Sequence, residues 1–184
     1  MPRRTDTRQR VVRTAARLFR DQGYHATGLN QVLTEGGAPK GSLYFHFPNG
    51  KEQLAAEAVS LAGNDIRDDL AAVLDAEPDP AKALSHVVER LGANLLASDY
   101  RSGCPVATVA LDAAADSEPI RRACEDVYAS WHAVIAARVG DDDVATVVLA
   151  AIEGALLLAR TRRSLAPLHA VAARLGVLLE RPAP

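Results

Sequence analysis

The chain of 184 residues contains few aromatic residues, which make up 4% of it, and only two cysteines. Ala and Leu are abundant instead, and they favour helices, whereas aromatic residues are enriched in strands. Cys104 and Cys124 are far apart and form no CxxC pair, which argues against a disulfide scaffold or a structural zinc site. We therefore expect an all-α protein with two reduced thiols, no metal and no other cofactor.

Signals for export, membrane insertion and catalysis are also lacking. The first ten residues, "MPRRTDTRQR", do not lead into an apolar segment of signal length, and no apolar stretch of about 18 residues lacks a charge. None of the patterns HExxH, GxSxG, GxxxxGK[ST] or GxGxxG occurs. We expect a cytoplasmic protein that is not an enzyme and has no membrane partner.

Positive charge is concentrated near the N-terminus. Up to Ala58 the chain has nine Lys or Arg and five Asp or Glu; of the totals of 21 and 23, twelve and eighteen remain for the rest. The first part therefore carries +4 and the remainder −6, although the net charge is −2. Such a basic region is typical of nucleic-acid binding. On charge alone, a solvated Arg-rich helix without a partner is an equal alternative.

Two short helices separated by glycines follow the first helix, which Gly23 ends. The pattern predicts a helix from about Leu29 to Glu35, a break at "GG", and a further helix over residues 39–45 that begins at Pro39. Two short helices joined by a tight glycine turn predict a helix-turn-helix. The second helix of such a unit enters the major groove of DNA with its N-terminal residues.

Four ring residues stand together in "LYFHF", just after Lys40, Gly41 and Ser42. Lys40 and Ser42 can contact phosphates or base edges, Gly41 allows close approach of the backbone, and Tyr44 can reach a phosphate or a thymine methyl. We expect Leu43 and Phe47 to point into the domain, with Phe45 and His46 at its edge. The alternative is a buried aromatic patch under a loop.

Residues 7–58 resemble the DNA-binding domain of the TetR family of transcriptional regulators. The family pattern of "G(Y/F)..T", "G..KG.LY..F" and "KE.L" is met by Gly23, Tyr24, Thr27, Gly37, Lys40, Gly41, Leu43, Tyr44, Phe47, Lys51, Glu52 and Leu54. The resemblance assigns DNA contacts to Thr27, Gly28, Lys40, Gly41, Ser42, Tyr44, His46 and Lys51. Gly28 and Pro39 depart from the usual Thr or Ser caps and would each remove a side-chain contact to phosphate.

The segment "GCPVATVALDAAADSEPIRRAC" extends the resemblance to the LmrA/YxaF-like subgroup. The family implies a DNA-binding domain over residues 1–48 and a helical effector-binding and dimerisation domain over residues 49–184. It also implies a homodimeric repressor of a palindromic operator, in which a small-molecule effector moves the fourth helix and releases the DNA. A helical small-molecule-binding or protein-binding module without DNA recognition is the alternative.

The body of the chain contains candidate effector and partner residues. A pocket for a hydrophobic compound, such as an aromatic one, is predicted from Leu95, Cys104, Val106, Val109, Tyr128, Trp131 and Ile135. Trp131 lines such a pocket or fills the core, and on the sequence alone we favour the core. Small and apolar residues in the last two helices predict a dimer seam of Ala151, Ala155, Leu158, Ala159, Leu175, Leu178 and Leu179. An internal hairpin that covers the core is the other interpretation of these two helices.

Overall fold

The computed structural model describes residues 4–179, and every regular element within that range is helical. The predicted all-α class is therefore confirmed. The helices are α1 (Arg4–Gln22), α2 (Leu29–Glu35), a 3₁₀ turn (Lys40–Ser42), α3 (Leu43–His46), α4 (Gly50–Ala76), α5 (Pro80–Ala97), α6 (Pro105–Ala113), α7 (Glu118–Val139), α8 (Asp142–Arg162) and α9 (Ala166–Leu179).

Local chemistry explains where these helices begin and end. The Asp79 carboxylate accepts hydrogen bonds from the amides of Ala81 and Lys82, at 2.9 and 3.2 Å, and so caps α5. Asp141 caps α8 in the same way through the amide of Val144, at 2.9 Å. The first helix stops at Gly23, whose φ of +87° favours glycine.

The described residues form two compact units. One consists of residues 4–65 and 104–128, and the other of residues 66–103 and 129–179. The helices α4 and α7 each contribute residues to both units. The predicted boundary after residue 48 separates a DNA-binding from an effector-binding function, and it stays a prediction.

The first unit is built around α1. Its apolar face buries Val11, Ala15, Leu18 and Phe19, all at most 1% exposed. Helix α2 packs on α1, and α6 packs on α1 as well. Because an isolated seven-residue helix is marginal in water, α2 depends on these tertiary contacts.

The second unit contains α5, α8 and α9, which pack on one another. Its core is closely packed at Gly92 of α5, where an added Cβ would lie 3.3 Å from the Leu165 side chain. Arg163 ends α8 in a left-handed conformation and pairs with Asp99 at 2.5 Å. This ion pair ties the loop after α5 to the end of α8.

One helix of the described range, Asp142–Arg162, is long and apolar enough to cross a membrane by length and composition alone. One-third of its most apolar window is buried. A core helix of a soluble protein has the same composition, so this test does not establish a membrane span.

Gly63 of α4 lies directly against Val127 of α7. An added Cβ would lie 2.4 Å from both Val127 methyl groups, so the two helices approach over a residue without a side chain. We expect Gly63→Ala to lower the free energy of unfolding by about 1–3 kcal/mol, as overpacking does. Denaturant unfolding followed by circular dichroism measures this.

Gly176→Ala is the matched control, because a Cβ there meets only the Ala81 Cβ, at 4.0 Å. It should leave stability unchanged or raise it slightly, since Ala is the better helix former. Adding Val127→Ala to Gly63→Ala should recover part of the loss. Equal stability of Gly63→Ala and the wild type would contradict the close contact.

Candidate nucleic-acid interface

The turn between α2 and the next helical segment requires its glycines. A Cβ on Gly36 would lie 2.9 Å from the Val32 carbonyl oxygen and 3.2 Å from the Val11 Cα. Gly37 has a φ of +66°, which L side chains rarely adopt. The "GG" pair therefore lets the chain reverse directly against α1, as the sequence predicts for a helix-turn-helix.

The segment from Lys40 to His46, called here the reading segment, begins one residue later than predicted. Its first three residues form a 3₁₀ turn and Leu43–His46 form the short helix α3. Pro39 precedes the turn with an extended ψ of 139°, so it is the flanking residue rather than the first helical one. Neither Gly28 before α2 nor Pro39 provides a side-chain cap, as predicted from their identities.

Two apolar residues anchor the reading segment. Leu43 is 4% exposed and Phe47 is fully buried, which confirms the predicted orientation of both. The guanidinium of Arg8 lies 4.9 Å from the centre of the Phe47 ring. Tyr44 and Phe45 have the opposite exposure, at 68% and 61%, so the aromatic cluster is largely outside the core.

Six of the eight predicted DNA-binding residues line one open concavity of about 670 Å³ in the first unit. They are Thr27, Gly28, Lys40, Gly41, Tyr44 and Lys51. The residues were chosen from three separate stretches of sequence, and the fold brings them together. An open surface with two lysines and a tyrosine suits a large anionic partner better than an enclosed small molecule.

Lys51 has an unusual electrostatic position. It is the second residue of α4, where the helix macrodipole disfavours a cation. Its ammonium group lies 4.4 Å from the centre of the Tyr24 ring, and burial lowers the pKa of Lys51. Burial, and then the charge of Glu52, raises the pKa of Tyr24, so the ring stays neutral beneath the ammonium. A phosphate at this helix start would offset the unfavourable dipole and stabilise the charged lysine.

Three of the residues predicted to contact DNA have side chains that are partly or fully buried or already hydrogen-bonded within the protein. The Ser42 hydroxyl donates to the Pro39 carbonyl oxygen at 2.7 Å, and His46 is half-buried beside the ring of Phe45. Thr27 is only 1% exposed, and its hydroxyl donates to the carbonyl oxygen of Gly23 at 2.7 Å. This burial argues against a direct DNA contact of Thr27 and gives it a supporting role in the loop.

The arginines of α1 are mostly used inside the first unit. Arg17 pairs with Glu35 of α2, Arg20 with Asp21, and Arg10 donates to the Gly36 carbonyl oxygen at 3.4 Å. The positive charge of this Arg-rich helix is therefore partly neutralised, and its arginines fasten α2 and the turn to α1. The sequence analysis did not identify a role for Arg8, which pairs with Glu57 at 2.6 Å and lies over the ring of Phe47. The available signal was a basic residue in a chain region that also contains an aromatic cluster.

The predicted effector residues are divided between the two units. Cys104, Val106, Val109 and Tyr128 belong to the first unit, and Leu95, Trp131 and Ile135 to the second. All are buried except Tyr128, which is half-buried. Trp131 is 3% exposed. The pocket itself stays a prediction.

The predicted dimer residues have different exposures. Ala155, Ala159 and Leu175 are at most 4% exposed and belong to the core of their own unit, as an internal hairpin would require. Leu158 and Leu178 are 45% and 39% exposed. Ala151 and Leu179 are half-buried. The buried members are therefore poor candidates for a partner surface.

The two cysteines are buried, and residues 4–179 contain no cluster of potential metal ligands. Cys104 and Cys124 are buried and are not joined by a disulfide, and burial raises the pKa of Cys124 to about 11. No cluster of three or more His, Cys, Asp or Glu side chains in this range could hold a metal ion.

This fold and this surface define a helix-turn-helix DNA-binding protein with a helical body. Residues 11–58 match the family model of bacterial regulatory proteins of the tetR family, and residues 80–174 match that of the C-terminal domain of LmrA/YxaF-like transcriptional regulators. The chain therefore belongs to the TetR family of transcriptional regulators, within its LmrA/YxaF-like group. Its relatives are named as regulators of transcription and not as enzymes.

Relatives match over nearly their whole length. The chain is 38% identical to the regulator YxaF of Bacillus subtilis over 98% of this chain and 99% of YxaF. It is 39% identical to LmrA of the same organism, over 96% and 98%. A TetR regulator structure from Chloroflexus aurantiacus, 27% identical, has a TM-score of 0.80 and covers 96% of each chain. The reduced form of Escherichia coli NemR, 22% identical, shows the same fold with a TM-score of 0.81, covering 92% and 95%.

We expect Lys51→Ala to weaken binding to all DNA sequences. Loss of one phosphate contact should reduce the slope of log affinity against log salt by about 1. Fluorescence anisotropy over a salt series measures the slope. Lys82→Ala is the control, because it removes the same charge from the one lysine outside the concavity. Equal slopes for Lys51→Ala and Lys82→Ala would contradict the phosphate role.

Proposed function

We propose that the protein is a ligand-responsive repressor that binds a palindromic operator as a homodimer. The reading segment, which overlaps the predicted helix over residues 39–45, enters the major groove, and a small hydrophobic compound, such as an aromatic one, releases the operator. The observation that carries the DNA-binding part is the convergence of Gly28, Lys40, Tyr44 and Lys51 in one open concavity. The membership in the TetR family supports the rest.

The chemistry of the concavity suits duplex DNA. Lys40 and Lys51 provide positive charge for phosphates, which supplies affinity without sequence preference. Tyr44, at 68% exposure, presents a flat ring with a hydroxyl group at its tip, and Gly41 has no atom within 4 Å of where a Cβ would lie. Backbone and ring can therefore approach base edges closely, which is where sequence is recognised.

A DNase footprint on the DNA that flanks the protein's own gene tests this function. Done at two salt concentrations with competitor DNA, it should show a protected inverted repeat with half-sites one turn, roughly 34–36 Å, apart. If nothing is protected at the lower salt, a selection from random sequences follows. Failure of that selection to enrich any sequence would overturn the proposal in favour of a helical binding module without DNA recognition.

The dimer surface is proposed from exposed residues of α8. Val147, Ala151, Gly154 and Leu158 are spaced by four, three and four residues, which places them along one face of the helix. Val147 and Leu158 are 52% and 45% exposed. On α9, Val177 and Leu178 are also exposed. An uncovered apolar face with a central glycine suits close packing against a second copy.

The effector can be sought through Trp131, the only tryptophan. At 3% exposure its emission reports on a buried environment. A panel of apolar aromatic compounds should contain some that change this emission and release the operator at the same concentration. Compounds that release the DNA without any change in emission would place the effector away from Trp131.

We expect Leu158→Glu to convert a dimer into a monomer, because a charge on the apolar face would have to be buried in the seam. Light scattering coupled to gel filtration should show a mass that falls from twice the 19.5 kDa of the chain to a single copy. Leu111→Glu is the control, since Leu111 of α6 is 83% exposed outside this surface. A Leu158→Glu protein that remains dimeric would contradict the proposed seam.

A further inference from the structure

The loop after α1 is held by α6 through a single residue. The backbone N–H of Tyr24 donates to the Asp112 carboxylate, with 2.8 Å between N and Oδ2. The His25 Nε2 lies 2.8 Å from the Asp112 carbonyl oxygen. Because a carbonyl oxygen can only accept, Nε2 carries the hydrogen. Asp112 thus binds two successive residues, 88 and 87 positions earlier in the chain.

This contact depends on a close approach. A Cβ on Gly23 would lie 2.5 Å from the Asp112 Oδ2, and the φ of Gly23 is +87°. A side chain at position 23 would therefore both strain the backbone and displace the carboxylate. Gly23 lets the last turn of α6 reach the loop.

The same loop leads directly to the DNA-facing surface. The Thr27 hydroxyl returns to the Gly23 carbonyl oxygen at 2.7 Å and closes the loop on itself. The next residue, Gly28, begins the turn into α2. The Tyr24 ring supports the Lys51 ammonium at 4.4 Å. Contacts thus lead from Asp112 to Lys51 through Tyr24, and the same loop leads through Thr27 to the start of α2.

One face of α6 packs in the interior of the first unit. Val106 and Val109 are at most 1% exposed, and both belong to the predicted effector residues. Pro105 and Val109 pack close to Phe19 of α1 and Val59 of α4. One short helix therefore has its apolar face among candidate effector residues and its last turn on the DNA-binding loop.

We propose that Asp112 is a positioning residue for DNA recognition: through Tyr24 and His25 it fixes the loop that orients the reading segment and Lys51. This inference rests on the proposed function. Both hydrogen bonds are exposed to solvent, so their net strength is modest and a shift of α6 can break them. Such a contact can be formed or broken, and coupling between an effector and DNA requires two states of this kind.

The test compares affinity for the selected operator with affinity for random-sequence DNA. The variants are Asp112→Ala and Asp112→Asn, and the control is Asp116→Ala. Asp116 is also an exposed carboxylate of the same unit, so both alanine variants remove the same charge. Loss of a negative charge alone should strengthen binding to both DNAs. Circular dichroism and thermal melting establish that each variant is folded.

We expect Asp112→Ala to lower the ratio of operator to random affinity by about fivefold or more, within the usual range of coupling between sites. Asp112→Asn keeps one carbonyl oxygen that can accept from Tyr24, so it should recover part of the ratio and serves as the test if the alanine variant does not fold. Asp116→Ala should keep the ratio of the wild type. A role in stability alone would reduce the active fraction and leave the ratio unchanged.

Hydrogen exchange at the Tyr24 amide is the second measurement. Asp112→Ala should lose protection there, whereas Asp116→Ala should keep it. If the wild-type protein prefers the operator over random DNA and Asp112→Ala keeps the same ratio of affinities, this inference is overturned and the proposed function stays intact. A wild-type ratio near one for every selected sequence would overturn the proposed function, and the positioning role with it.

Discussion

The burial of Leu43 and Phe47 is the interaction that orients the reading segment, and the proposed DNA-binding surface depends on it. A segment of seven residues, three of them in a 3₁₀ turn, has too few hydrogen bonds to be a stable helix by itself. Two nearly inaccessible apolar side chains fix its rotation, so Tyr44 and Phe45 must point outwards. The exposed aromatic residues that would be a liability on an ordinary surface are thus a consequence of how the segment is anchored.

Charge is divided between two tasks. Most arginines of α1 pair with carboxylates or carbonyl oxygens of the same unit and hold α2, the turn and α4 in place. Lys40 and Lys51 line the open concavity. This division fits the chemistry of the two side chains, because the planar guanidinium forms several directed hydrogen bonds while the ammonium is a compact charge. Net charge alone cannot reveal such a division, so the basic count of the first 58 residues overstates what is available to DNA.

Local patterns were sufficient to predict much of this structure. The helix from Leu29 to Glu35, the glycine turn and the inward direction of Leu43 all follow from neighbouring residues, and the structure has them. Long-range contacts were not predictable in this way. The carboxylate that holds Tyr24 lies 88 residues away, and the burial of Thr27 depends on the loop that this contact stabilises. Small residues such as Ala155 mark close helix packing, but their spacing does not say whether the neighbour is the same chain or another.

Close approaches between early and late parts of the chain complete the first unit. Gly23 admits Asp112 of α6, and Gly63 admits Val127 of α7, so the unit closes at two places where a side chain would not fit. The helix-turn-helix residues therefore share one compact unit with helices that come more than forty residues later. Helix α6 therefore provides part of the packing and hydrogen bonding of the loop that contains Gly23, Tyr24 and His25. A shift of α6 that broke these contacts would alter the loop, so under the proposed function recognition and its regulation would share one set of interactions.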